Sequence, residues 1–118
     1  MHLFKIVFHI DEMNKWELAL GNVSNFIEDI GNAEYFIEIV ANAAAVKLFA
    51  TTNDSATSEL VREMEGLVKQ GIKIAVCKNA LRANAIPETV LPDYVTVVPA
   101  GITKLVMLQE QGYCYIKP

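Results

Sequence analysis

The chain has 118 residues, enough for one core but not two, with 53% hydrophobic and only 20% charged residues, slightly more apolar and less charged than an average globular chain. Ten Lys and Arg stand against fourteen Asp and Glu for a net charge of −4, and no stretch is dominated by basic residues, so nucleic-acid binding lacks its electrostatic basis. No apolar run approaches the roughly eighteen residues of a membrane span, and the opening MHLFKIVFHIDE turns acidic where a signal peptide would place its cleavage site, so a cytoplasmic protein without a membrane partner is expected.

Residues 3–10 (LFKIVFHI) are nearly continuous in apolar side chains, the pattern of a strand covered on both faces in a parallel sheet. Asp11 is placed to cap the helix that follows, whose apolar positions Met13, Trp16, Leu20, Val23, Phe26, Ile27 and Ile30 recur at spacings of three and four until Gly31-Asn32 ends it. Residues 35–41 (YFIEIVA) read as a second buried strand, leading into Asn42 and an alanine-rich helical stretch through Phe49. Thr51-Thr52-Asn53-Asp54-Ser55 forms a polar loop with good capping residues, ahead of a helix whose apolar face is Leu60, Met64, Leu67 and Val68 and which Gly71 closes. Residues 72–76 are the third strand and 77–84 read as helix, so Cys77 stands where the strand hands over to a helix N-terminus. Pro87 and Pro92 bracket a short helical turn, residues 94–98 supply a fourth strand ended by Pro99, and a helix from about Gly101 to Gln111 precedes a short final strand at 113–116.

Strand and helix alternate without a linker or an internal repeat, which implies a single α/β domain over residues 1–118 with a mostly parallel sheet of about five strands and helices on both faces. Right-handed crossovers bring the C-terminal strand ends to one edge, where open α/β sheets place their sites, so His9, Asn42, Cys77 and Pro99 are expected to share it. In the common doubly wound order, strand one also lies beside strand three, which would bring His9 and Asp11 close to Cys77.

A thiol at a helix N-terminus meets unpaired backbone N–H groups and the positive end of the helix dipole, both of which favour the thiolate. Lys78 follows directly but does not face its neighbour on a helix. The competing reading of Cys77 is a small buried hydrophobe, and that reading is the stronger one for Cys114, inside the last strand between two tyrosines. His9 beside Cys77 would act as the adjacent base of an activated nucleophile; otherwise it is a histidine satisfied by the backbone. Asn42 and Asn79 either orient a sulfur species or brace loops. The two cysteines lack the CxxC spacing of a zinc or dithiol site. The first strand-to-helix loop, Ile10-Asp11-Glu12-Met13-Asn14, carries two carboxylates that repel phosphate, and neither GxGxxG nor GxxxxGK[ST] occurs. Neither a disulfide scaffold nor a metal cluster is indicated.

The segments KIVFHIDEMNKWELALGNVSNFIED, IEIVANAAAVKLF, VKQGIKIAVCKNALRANAI and VTVVPAGITKLVMLQEQGYCYIKP together resemble the DsrE-like family of small sulfur-relay proteins, in its stand-alone branch, over nearly the whole chain. The resemblance implies a flavodoxin-like α/β fold, assembly into homotrimers or homohexamers, and a cysteine after the third strand that carries sulfur as a persulfide, a position Cys77 matches. It also implies a persulfide-donor protein and a sulfur-acceptor protein as partners, and chemistry that requires no metal or organic cofactor. The leading expectation is therefore a cytoplasmic sulfur carrier or sulfurtransferase acting through Cys77, with His9, Asp11, Asn42 and Asn79 lining the site. A non-catalytic homo-oligomeric scaffold and a small-ligand-binding module are the alternatives.

Overall fold

The apolar runs fold into strands, and the segments with three- and four-residue apolar spacing fold into helices laid across them. In the computed structural model, which describes residues 2–50 and 54–118, the strands are β1 (Leu3–Ile10), β2 (Glu34–Ala41), β3 (Lys73–Cys77), β4 (Val95–Val98) and β5 (Cys114–Ile116). They form one sheet in the order β4-β3-β2-β1-β5, with every neighbouring pair parallel. The helices are α1 (Trp16–Ile30), α2 (Ser55–Lys69), α3 (Lys78–Ala83) and α4 (Gly101–Glu110).

Local chemistry explains the boundaries. Helix α1 buries Trp16, Ala19, Leu20 and Val23 along one stripe and stops at Gly31, whose φ of +62° is left-handed backbone that favours glycine. The carboxylate of Asp54 accepts from the Ala56 N–H at 3.3 Å to cap α2; the rest of the polar loop anticipated here, residues 51–53, lies outside the described residues. Asp11 does not cap α1. A 3-10 turn at Met13–Lys15 precedes the helix, with Glu12 at its cap position and no side-chain cap, and Asp11 is drawn instead to Lys117.

Alternate residues of each strand face opposite layers. Ile6, Phe8 and Ile10 of β1, Ile37, Ile39 and Ala41 of β2, and Ile74 and Val76 of β3 pack under α1, α2, α3 and the 3-10 segment Ala43–Ala50. Val7, Val40 and Ala75 face the other way, under Leu105 and Leu108 of α4. Helices thus lie on both faces, but among the described residues α4 alone covers the second. Its outer side is apolar as well: Ile102, Val106 and Met107 are 60%, 51% and 51% exposed. The buried carboxylate of Glu38 on β2, 3.5 Å from Lys104 Nζ, ties α4 to the sheet. Nearby Tyr113 has its hydroxyl pushed up by burial, then by the Glu38 charge and a hydrogen bond to it.

The strand order corrects one expectation. Strand β1 lies between β2 and β5, and β2 separates it from β3. From β1 to β4 the chain steps one place in the same direction each time, so right-handed crossovers put α1, α2 and α3 on one face. The step from β4 to β5 runs backwards across the sheet, and the same handedness puts α4 on the opposite face. Neighbouring β3 and β4 therefore send their chains to opposite faces, which makes the crevice at their C-terminal ends the topological switch point, where open α/β sheets bind ligands. Cys77 and its register partner Val98 border it. Among the described residues, no helix is long and apolar enough to cross a membrane.

Candidate functional site

Cys77 is both the last residue of β3 and the N-cap position of α3, with extended backbone at φ −79° and ψ 121°. It is 7% exposed. The first turn of α4 meets it from the other side. An added Cβ on Gly101 would stand 3.3 Å from Cys77 Cβ and 3.2 Å from Asn42 Cβ, closer than such atoms ordinarily pack, so only glycine lets the α4 N-terminus come so near. Neither helix has a capping side chain, since Cys77 and Ala100 at the two cap positions make no side-chain cap bond. Two helix N-termini thus adjoin the cysteine, and their first-turn N–H groups lack a partner within their own helices.

Asn42 follows β2 directly. The β2–β3 register, with Ala41 opposite Val76, brings it level with Cys77 on the neighbouring strand. Its backbone is fixed by an N–H donated to Ile10 O at 3.0 Å and a carbonyl that accepts from Ala45 N at 3.1 Å. The next residue, Ala43, has a φ of +49°, left-handed backbone that costs a non-glycine residue about 1–2 kcal/mol. Asn84 braces this turn by donating its amide to the carbonyls of Ala80 and Ala43.

His9 is buried, with both ring nitrogens engaged: Nε2 lies 2.9 Å from Asn42 Oδ1 and Nδ1 lies 2.6 Å from the Tyr115 hydroxyl. It therefore reaches Cys77 only by way of Asn42 and is not an adjacent base for the sulfur. The intervening strand β2 is the reason. Tyr115, opposite Val7 in the β1–β5 register, shares the α4 face with His9.

The remaining polar residues lie farther out. Asp11 Oδ1 pairs with Lys117 Nζ at 2.8 Å, joining the exits of β1 and β5. The Lys117 hydrogen bond holds the Asp11 carboxyl below its ordinary value, partial burial opposes this, and the charges of Lys117 and His9 reinforce it. The same hydrogen bond raises the Lys117 ammonium. A depressed carboxylate contributes stability that is present above its ordinary value and lost as pH falls through the folded one; a raised ammonium contributes stability present below its ordinary value and lost as pH rises through the folded one. The tether thus acts from mildly acidic to strongly alkaline pH. In Lys117→Met, the Asp11 carboxyl should titrate back toward the ordinary 3.8 in a carbon-detected NMR titration; an unmoved titration would count against the pairing.

Asn79 is exposed on α3, without a hydrogen bond to Cys77 or Asn42 among the described residues. Lys78 points its charge at Glu88, 3.8 Å away. Cys114 is exposed on the edge strand, contrary to the packing role read from its neighbours, and borders a cavity of about 390 Å³ with Phe4, Phe26 and Ile116. An apolar hollow of about 340 Å³, lined by Val98, Pro99, Ala100, Thr103, Lys104 and Met107, opens beside the switch point. Among the described residues, no group of three or more His, Cys, Asp or Glu side chains is placed to hold a metal ion. The structure thus unites Cys77, Asn42 and His9, sets Asp11 at the rim and leaves Asn79 outside. It adds Tyr115 and Gly101.

A five-stranded parallel sheet in this order, with helices on both faces, defines a small α/β domain with a cysteine at its switch point. Residues 3–118 match the sequence profile of the DsrE/DsrF-like family, and the chain belongs to that family, which points to a role related to sulfur relay. Among solved structures, the chain is similar to MTH1491 of Methanobacterium thermoautotrophicum, a protein of unknown function. The identity there is 34%, with 98% of this chain and 99% of that one covered at a TM-score of 0.79. BT1422 of Bacteroides thetaiotaomicron, also of unknown function, is 20% identical over 97% of this chain and 94% of its own, with a TM-score of 0.66. The ychN protein of E. coli is 16% identical over 98% and 99%, with a TM-score of 0.69; these last two likenesses are of fold. Among curated proteins there is no match.

Proposed function

We propose that the protein is a sulfur carrier that takes up sulfur as a persulfide on Cys77 and passes it on. The observation that carries this reading is the position of Cys77: it ends β3 at the switch point, with the N-termini of α3 and α4 against it. Helix N-termini stabilise anionic sulfur. The Cys77 thiolate attacks the outer sulfur of a donor persulfide. A new S–S bond forms to Cys77 as the donor's S–S bond breaks, and the electron pair leaves with the donor thiolate. An acceptor thiolate then takes the outer sulfur from Cys77 in the same way. At 7% exposure, Cys77 receives its sulfur from a partner docked at the sheet edge rather than by random collision.

In this reading the protein is a cytoplasmic homo-oligomer, a trimer or hexamer, and the exposed Ile102, Val106 and Met107 of α4 supply apolar surface for copies to bury. A native mass measurement tests the assembly. The test of function is incubation with a persulfide donor followed by mass analysis. The wild type and Cys114→Ser should gain one sulfur atom on the Cys77 peptide, and Cys77→Ser should gain none. Sulfur on Cys114 alone, or none on either cysteine, would sink the proposal. The low exposure of Cys77 also favours a second reading, a scaffold in which the thiol only packs, and absence of loading on both cysteines is its signature.

A further inference from the structure

We infer that Tyr115 is a positioning residue for the Cys77 site, acting through His9 to set the amide of Asn42. With the Asn42 amide placed oxygen-first toward the ring, as in the structure, the contacts admit one assignment for a neutral ring. Asn42 Oδ1 is an acceptor only, so His9 Nε2, 2.9 Å away, carries the ring proton and donates it. Nδ1 is then the ring's lone-pair nitrogen, and the Tyr115 hydroxyl donates to it across 2.6 Å. A bond to each ring nitrogen holds the imidazole in plane and in this tautomer, and a ring so held keeps Oδ1, not Nδ2, of Asn42 turned toward it. With Oδ1 taken by His9, Nδ2 lies on the side of Gly101, 3.5 Å from the point where a Cβ would stand, and that point is 3.3 Å from Cys77 Cβ. Among the described residues Nδ2 has no other partner. It is a spare N–H donor on the Gly101 side of the site, with no hydrogen bond to the resting Cys77 sulfur among the described residues, and an N–H donor favours an anionic sulfur within its reach, thiolate or the outer sulfur of a persulfide, over a neutral one.

Strand alternation gives every member a register position on the α4 side of the sheet. Tyr115 is opposite Val7, His9 lies two residues beyond Val7, Asn42 two beyond Val40 and Cys77 two beyond Ala75. Val7, Val40 and Ala75 all lie under α4. The relay therefore crosses four adjacent strands, from β5 at the edge to β3, and at its far end the Cys77 side chain also packs into the core of the other face, with Ala80 and Leu81 of α3. The Asp11–Lys117 bridge at 2.8 Å fixes the end of β5 that carries Tyr115. This inference rests on Cys77 being the working thiol, but its readouts need no sulfur donor, so it stands or falls separately from sulfur transfer.

The test uses Cys114→Ser protein, so that iodoacetamide reports Cys77 alone. Long-range proton–nitrogen NMR of the unsubstituted chain should show His9 protonated at Nε2 and not at Nδ1. Tyr115→Phe, which keeps the ring and removes the donor, should slow alkylation of Cys77 by about 3- to 10-fold, the worth of one hydrogen bond. Asn42→Ala, which keeps the Cβ that packs against Gly101, should slow it to a similar degree. The double variant should be no slower than Asn42→Ala, because Tyr115 acts only by way of that amide. A His9 protonated at Nδ1, an unchanged rate in Tyr115→Phe, or effects that multiply in the double variant would each overturn the inference. The tautomer is read on unaltered residues, so the inference can be overturned even if a variant fails to fold.

Discussion

Trp16→Ala is expected to destabilise the protein by about 3–5 kcal/mol, the range for truncating a large buried aromatic side chain. Trp16 is fully buried at the first position of α1. Its ring meets Phe49 edge-on with centroids 6.0 Å apart, and its indole N–H donates to the Ala45 carbonyl at 2.8 Å. Ala45 and Phe49 belong to the 3-10 segment Ala43–Ala50, a form rarely stable over more than three or four residues without outside support. That segment begins right after Asn42, through the left-handed Ala43. Trp16 is the outside support, so its loss also loosens the turn that places Asn42 beside Cys77. Trp16→Phe separates the two contributions. It keeps most of the ring but removes the indole bond to the Ala45 carbonyl, worth about 0.5–1.5 kcal/mol net. Urea unfolding measures both, and a lower midpoint at unchanged slope is the expected form of the result. If Trp16→Phe fell within about 0.5 kcal/mol of wild type, as surface substitutions do, the indole bond would not be holding the segment.

How far these features could be read from residues alone follows from the range of each signal. Apolar runs and three- and four-residue spacings are local, and they located all five strands and the four main helices to within a few residues. Cys77 at the strand-to-helix handover rests on the same local signals, and so does the shared edge with His9 and Asn42. Strand order is not local. The same alternation of strand and helix fits an order with β1 beside β3 and the observed one with β2 between them. What separates them is which face each crossover covers, and the clue is the two-sided apolarity of α4, with Leu105 and Leu108 inward and Ile102, Val106 and Met107 outward. Tyr115 escaped notice for the same reason, since its alignment with His9 matters only once β5 is known to pair with β1. Asp11 has the composition of a cap, but the cation that claims it is 106 residues away in sequence. Cys114 sits on a three-residue edge strand whose exposure no pattern of neighbours reveals.

Gly101→Ala is expected to destabilise the protein and to impair sulfur loading of Cys77 together. At an ordinary helical position the substitution would help, because alanine is up to about 1 kcal/mol better than glycine in a helix interior. Gly66 in α2 is such a position: nothing lies within 4 Å of its added Cβ, so Gly66→Ala should raise stability by up to about 1 kcal/mol. At Gly101 the new methyl would meet Asn42 Cβ at 3.2 Å and Cys77 Cβ at 3.3 Å. Both are bonded directly to strand backbone and cannot swing aside as the tip of a flexible side chain can. Either the strand ends part or the first turn of α4 lifts, and overpacking of this kind costs about 1–3 kcal/mol, more than the propensity gain at a first helical residue. The rise of α4 is the cheaper movement, since one helix holds that face. Lifting it carries its N–H groups away from the cysteine, so loading should slow even where the protein remains folded, while Gly66→Ala loads as wild type does. Should Gly101→Ala match Gly66→Ala in both stability and loading, the close approach of the α4 N-terminus would have no part in the chemistry of Cys77, and the N-terminus of the six-residue α3 would be left as the sole helix end acting on its sulfur.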